Sequence, residues 1–232
     1  MTSRQRWPAG RPPGTVVAKN AVALPAEDPS AAAPHRSSEG GVLLGDGICV
    51  RNDFLGAARV RELIECARVR KARGEFAGGR IGGALRVRRD EIRGDDTCWL
   101  GEPLLAAERL LLADMERLRL ELNGEAYLGL FDLEMHYAWY PPGAGYARHV
   151  DQPRGREDRV LSVVLYLNES WVPADGGQLR LFDVETARDV EPLAGRLVAF
   201  VTAGREHAVL PTQKDRLSLT GWFRRRPQGT VA

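Results

Sequence analysis

The stretch FDLEMHYAWYPPGAGYARHVDQP, Phe131 to Pro153, joins a strand pattern to an unusual pair of side chains. In its first part Phe131, Leu133, Met135, Tyr137 and Trp139 fall on one face, and Asp132, Glu134, His136 and Tyr140 on or toward the other. A two-residue period of this kind predicts a β-strand with one face on a core. Pro141, Pro142 and Gly143 then turn the chain. Beyond the turn, His149 and Asp151 stand one residue apart, a spacing that on a strand points both side chains to the same face. The chain has four histidines in all, so one placed beside a carboxylate asks for a chemical reason.

Downstream, Arg159–Leu167, Gln178–Phe182, Arg196–Thr202 and Asp215–Arg224 are further strand candidates, separated by Gly, Pro and Asp turns. Upstream the period changes. Asp53 is a candidate N-cap for a helix from about Phe54 to Ala72, with Val60, Leu63, Ile64 and Ala67 on one face and Gly74 ending it. A second helix is expected from Pro103 to about Leu122, with Leu111, Met115, Leu118 and Leu122 as its buried stripe and Asn123–Gly124 as its stop. Between the helices a glycine-rich and then charged segment reads as a mobile loop or a twisted hairpin. Helices followed by a run of strands predict a mainly β protein, with the helices packed outside a sandwich or barrel. Residues 1 to 41, rich in Pro, Ala, Gly, Ser and Arg without a hydrophobic period, read as a flexible N-terminal tail, and 42–232 as one domain.

The 232 residues carry a net charge of +2, too small to point to nucleic acid as a partner. Cys49, Cys66 and Cys98 are widely spaced and odd in number, which argues against a disulfide framework or a zinc knuckle and fits a reducing cytoplasm. No apolar run is long enough to span a bilayer, and no secretory signal is recognisable.

A second histidine far downstream, His207 in GREHAVLP, can complete a set with His149 and Asp151. Two histidines and one carboxylate on one octahedral face leave three positions open, the arrangement of non-haem Fe(II) oxygenases. Alone, H-x-D recurs by chance, and a histidine at a strand end is commonly solvated or hydrogen-bonded. Nine residues beyond His207 comes Arg216, and by alternation Arg216, Ser218, Thr220 and Trp222 share one face, backed by Leu217, Leu219 and Phe223. Such a face suits the wall of a polar ligand pocket, and equally a surface strand turned to water. Beside a metal, an inward arginine can hold a carboxylate through two charge-assisted bonds.

From about Gly41 to Phe223 the chain resembles 2-oxoglutarate- and Fe(II)-dependent prolyl hydroxylases. The branch it resembles contains the oxygen-sensing hydroxylases of hypoxia-inducible factor and their bacterial relatives that act on elongation factor Tu. The matching phrases are DGICVRNDFL, IRGDDTCWL, YPPGAGYARHVDQP, LYLNESW, GGQLRLF and EHAVLPTQKDRLSLTGWF. The resemblance implies a double-stranded β-helix, or jelly-roll, core. It also implies prolyl 4-hydroxylation of a protein, elongation factor Tu being one candidate, coupled to oxidative decarboxylation of 2-oxoglutarate to succinate. His149, Asp151 and His207 would ligate iron. Arg216 and Tyr166 would bind the distal carboxylate of 2-oxoglutarate, with Val164, Leu179 and Thr220 along it. Tyr140 would lie near the metal and the target proline, Arg159 and Trp222 at the mouth where the peptide lies, and the loop Arg80–Arg93 would cover the substrate. The turn YPPGAGY is one residue shorter than in the family and DQPRGREDRV one longer, so Arg159 rather than Arg156 is matched from the downstream side. The same likeness implies dioxygen as co-substrate and ascorbate as a supporting reductant, and oxygen sensing as a role that would depend on an oxygen affinity no motif encodes. Cysteine usage, hydropathy and charge lead to the expectation of a cytoplasmic protein, a monomer, with neither membrane nor nucleic acid as partner. Two other outcomes stay open: the same chemistry on another side chain or a free amino acid, and a non-catalytic cupin-like metal-binding module.

Overall fold

A computed structural model of the protein describes residues 46–79, 92–152 and 158–226. The tail read over residues 1 to 41 lies outside the described residues, as do residues 80–91 of the charged loop with Gly82 and Gly83, and Arg156. The described chain begins with β1 (Ile48–Arg51) and α1 (Ala57–Ala72), then β2 (Ala77–Gly78), β3 (Asp96–Trp99) and α2 (Ala106–Ala126). Strands follow: β4 (Leu130–Tyr140), β5 (Tyr146–His149), β6 (Arg159–Tyr166), β7 (Leu179–Phe182), β8 (Ala187–Val190), β9 (Leu197–Val201), β10 (His207–Val209) and β11 (Arg216–Arg225).

The strands make two antiparallel sheets, one in the order β1-β9-β6-β11-β4-β3-β2 and one in the order β5-β10-β7-β8. Alternation divides the larger sheet into two faces. Met135 and Tyr137 of β4, Leu161, Val163 and Leu165 of β6, and Leu217, Leu219 and Phe223 of β11 pack in one core with Leu63, Ala67, Leu111, Met115, Leu118 and Leu122 of the two helices. The opposite parity faces the second sheet, where Val164, Tyr166, Val198 and Phe200 meet Leu179, Leu181 and Val190. The fold is thus mainly β with its helices outside, as the pattern predicts, and its two facing sheets make the jelly roll that the resemblance implies. Both faces of its central strands are buried, so β6 reads as a nearly continuous apolar run. No helix among the described residues is long and apolar enough to cross a membrane.

Boundaries differ from the sequence expectation at three points. Asp53 does not cap α1; it lies in a turn at φ 54, and Gly56 is the N-cap. That turn lets Leu55 N–H donate to the Gly195 carbonyl (3.2 Å), tying the helix entry to the sheet. Pro103 precedes α2 rather than opening it; Glu108 accepts from Leu105 N–H (2.8 Å) and sets the start. Asn123 does not stop α2, which continues to Ala126 with Tyr127 in the left-handed conformation. Its amide instead bonds both backbone groups of Leu130, each at 2.8 Å, and launches β4. The segment between the helices has a hairpin base, with Ala77 and Gly78 paired to Thr97 and Asp96.

Candidate active site

β10 lies between β5 and β7 in the smaller sheet, and its register sets His207 directly opposite His149. The ring centroids are 4.2 Å apart. β5 ends at His149, so Asp151 reaches the pair from the bend that follows, not from the two-residue period of a strand as its spacing suggested. One ligand atom from each of His149, Asp151 and His207 lies within 4.8 Å of the others. The His149 Nε2–Asp151 Oδ1 and His207 Nε2–Asp151 Oδ2 distances are 3.5 and 3.4 Å.

The atoms behind these three groups fix their orientation. Nδ1 of His149 lies 2.8 Å from the Ala147 carbonyl, and Nδ1 of His207 3.2 Å from the Arg205 carbonyl. Each contact calls for a proton on Nδ1 and leaves the Nε2 lone pair toward Asp151, the tautomer a metal requires. Ser162 Oγ donates to Asp151 Oδ2 (2.8 Å) and sits 3.1 Å from Thr202 Oγ1. Burial pushes His149 below the ordinary imidazole range. At His207 burial works the same way, but the Asp151 carboxylate outweighs it and the net shift is upward. At Asp151 burial is opposed by the two imidazoles, which hold the carboxyl well below its usual range. Two neutral nitrogens and one anionic oxygen on one side of a point are the donor set for Fe(II) with open positions opposite.

The pocket beside this group is lined by residues of both sheets, among them Tyr140, Val164, Leu179, Arg216, Thr220 and Trp222. Arg216 is 1% exposed. Its Nε donates to the Gly177 carbonyl (2.8 Å) and its Nη1 lies 3.4 Å from Ser218 Oγ. Tyr140 and Tyr166 place their rings 5.0 and 5.2 Å from its guanidinium carbon. Gly177, at φ 67, makes this approach possible, since a Cβ there would stand 3.0 Å from the arginine's Cδ. The Tyr166 hydroxyl is buried and has no hydrogen-bond partner among the described residues. A buried guanidinium beside an unpaired phenol, at one end of a pocket whose other wall carries a metal-ligand set, fits a dicarboxylate lying between them. Fe(II) with 2-oxoglutarate therefore suits the residues present.

The remaining expected residues are placed as follows. Tyr140 is paired in register with Arg216, which puts it beside the guanidinium. Val164 pairs with Thr220 across β6 and β11, and Leu179 faces them from β7. Trp222 is buried and on the pocket wall. Arg159 is engaged inside the protein: Nε and Nη2 donate to Glu134 Oε1 (2.9 and 2.7 Å), Nη1 donates to the Asp151 carbonyl (2.8 Å), and the guanidinium covers Trp222 at 3.5 Å. Asp95, His136 and Tyr146, given no role from the sequence, also line the pocket, as does Arg93, the last residue of the loop expected to cover the substrate. Tyr146 stacks on His149 with ring centroids 3.6 Å apart. Arg93 grips Asp95 through two bonds of 2.6 and 3.0 Å. Parity already put His136 on the face of Tyr140; Asp95 carries no such signal, because it reaches the pocket through the loop return.

The sequence matches the 2OG-Fe(II) oxygenase superfamily over residues 135–224. It is 34% identical over 188 residues to human Egl nine homolog 1, covering 76% of this chain and 43% of that protein. To mouse prolyl hydroxylase EGLN3 it is 33% identical over 193 residues, covering 76% of this chain and 78% of that one. The chain thus spans less than half the length of human Egl nine homolog 1. A prolyl-4-hydroxylase from Pseudomonas putida superposes with a TM-score of 0.71 at 45% identity, over 79% of this chain and 95% of the other. A Trichoplax adhaerens prolyl hydroxylase, solved with a hypoxia-inducible factor oxygen degradation domain peptide, gives 0.72 at 30%, over 78% and 84%. By sequence, fold and donor set together, this chain belongs to the 2-oxoglutarate- and Fe(II)-dependent oxygenase superfamily, within its prolyl hydroxylase family.

Proposed function

We propose that the protein hydroxylates a prolyl residue of a protein substrate at the 4-position, with elongation factor Tu the first candidate. With Fe(II) bound, dioxygen would be the oxidant, taking two electrons from 2-oxoglutarate, which becomes succinate and carbon dioxide, and two from the prolyl C–H, which becomes C–OH. The protein's own part is placement. His149, Asp151 and His207 hold the metal on one side. Arg216 and the Tyr166 hydroxyl hold the distal carboxylate of the co-substrate, with Val164, Leu179 and Thr220 excluding water along its carbons. Tyr140, buried against Arg216, closes that end of the pocket. Trp222 lines the substrate side, and Arg159, which covers it, acts on the substrate through it. Ascorbate is the reductant that suits a ferrous centre. The buried free thiols of Cys49, Cys66 and Cys98 suit a cytoplasmic protein, which we read as a monomer; an oxygen-sensing role would rest on its oxygen affinity.

The observation that carries the proposal is the pairing, in one pocket, of the His–Asp–His group with the buried Arg216, whose guanidinium lies beside a tyrosine hydroxyl that has no hydrogen-bond partner among the described residues. Incubation with Fe(II), 2-oxoglutarate and elongation factor Tu, followed by mass spectrometry, should show succinate and one added oxygen on a prolyl residue. Oxidation of another side chain or of a free amino acid would redirect the substrate assignment. Absence of 2-oxoglutarate consumption by the iron-loaded protein would leave a non-catalytic metal-binding module.

A further inference from the structure

His136 is 1% exposed, lines the pocket, and has no hydrogen-bond partner for either ring nitrogen among the described residues. A buried imidazole serving only the core has at least one nitrogen satisfied as a rule, because an unpaired buried polar atom is costly. Its position is built with care. β4 sets it opposite Thr220 of β11 on one side and Trp99 of β3 on the other. Its ring lies 4.7 Å from that of Trp99 and is stacked 5.5 Å from that of Trp222. The Trp222 indole N–H is likewise buried without a partner among the described residues. Trp99 is 38% exposed, so the stack runs from solvent inward to the pocket wall.

The charges that bear on His136 are those of Arg93, Asp95, Arg159 and Asp151, the groups around the metal and the loop return. Burial, seconded by the Arg93 charge, lowers its pKa to about 3, so the ring is neutral and offers one N–H donor and one acceptor. The co-substrate's distal carboxylate is provided for by Arg216 and Tyr166, and its other oxygens by the metal. The unpaired nitrogens of this ring on the pocket wall are left for the substrate. A peptide group flanking a proline offers a carbonyl acceptor and an amide donor that match them.

We propose that His136, with the indole N–H of Trp222 beside it, is a substrate-positioning residue that hydrogen-bonds the peptide backbone next to the target prolyl ring. This rests on the prolyl hydroxylase reading given above. Its function is discrimination: a chain whose backbone is displaced leaves both buried groups unpaired, and so is rejected.

The test compares wild type, His136→Met and His136→Asn, loaded with Fe(II) and 2-oxoglutarate, on prolyl peptides tiled along elongation factor Tu. Methionine keeps the bulk and removes both polar atoms; asparagine restores a donor and an acceptor. The expected result for His136→Met is a peptide KM raised about tenfold or more, a 2-oxoglutarate KM within about twofold of wild type, and more succinate formed per hydroxyl group. Its melting temperature should be equal or higher, and His136→Asn should recover part of the peptide affinity. With Zn(II) in place of iron, the imidazole nitrogen resonances of His136 should shift when peptide is added. An unchanged peptide KM and unshifted resonances in a turning-over wild type would show a water-satisfied core histidine and overturn the inference alone. A wild type that neither binds nor hydroxylates any of the peptides would overturn the function reading, and this inference with it.

Discussion

Arg70 and Arg216 both lie almost wholly inside the protein, at 5% and 1% exposure, in opposite company. Arg70 is clasped by Glu108 through bonds of 2.6 and 2.7 Å and by Glu75 at 2.5 Å, and it also donates to the Pro103 carbonyl. The hydrogen bonds to Glu108 raise its pKa further above the ordinary arginine value. This cluster ties α1 to the start of α2. Arg216 meets a carbonyl, a hydroxyl and two aromatic faces, and no carboxylate among the described residues. Burying a charge costs several kcal/mol unless a counter-charge offsets it. Arg70 has its counter-charge built in, whereas Arg216 leaves room for one to arrive. Equal burial thus accompanies a structural tie in one place and, on the function proposed above, a binding site in the other.

The sharpest way to break that contrast is Arg216→Met. Two charge-assisted bonds of roughly 1.5–3 kcal/mol each predict a KM for 2-oxoglutarate raised about a hundredfold or more, with no loss of melting temperature. A change below about tenfold in steady-state assays would return Arg216 to the structural class. Arg70→Met should do the reverse. It strands the Glu108 carboxylate, 0% exposed, and should cost about 3–5 kcal/mol in urea denaturation, while the folded fraction keeps its co-substrate affinity. Ligand linkage sharpens the same division. Mn(II) with 2-oxoglutarate at about a hundred times Kd should stabilise wild type and Arg70→Met by about 2.7 kcal/mol, and Arg216→Met by far less.

His136 offers a contrast in protons rather than charges. Its folded pKa is depressed from 6.5 to about 3. Above pH 6.5 neither state is protonated and the residue costs nothing. Between those values the unfolded chain takes up a proton that the folded one refuses, so stability falls as pH falls. His136→Met should make this acid slope shallower, by about 2 kcal/mol at pH 5; an unchanged slope in denaturation series would mean the ring is protonated in the folded state. The smallest effect belongs to an exposed pair. Arg180 and Asp189, both 38% exposed on the side chain, join β7 to β8 across solvent, and Arg180→Ala should leave the urea-denaturation midpoint essentially unmoved.

Much of the architecture was legible in local spacing. The alternation of Phe131–Trp139 and of Leu217–Phe223 identified strands and told which residues would share a face, and the helix stripes at Leu111, Met115, Leu118 and Leu122 are all buried. Element ends were less legible, because they depend on remote partners: the Gly195 carbonyl for α1, the two backbone groups of Leu130 for the exit from α2. The same holds for Asp151, which a strand period would have aimed but a bend delivers.

The sequence by itself determined the kinds of donor available and their parity, since side-chain direction in a strand follows from backbone geometry two residues at a time. Only the tertiary structure decided that His207 faces His149 on the neighbouring strand, that Arg159 is held by Glu134, and that His136 and Tyr166 keep polar atoms unpaired among the described residues. Those outcomes depend on inter-strand register and on which groups packing brings within hydrogen-bond reach. Both arise between segments far apart in the chain, where local periodicity carries no information.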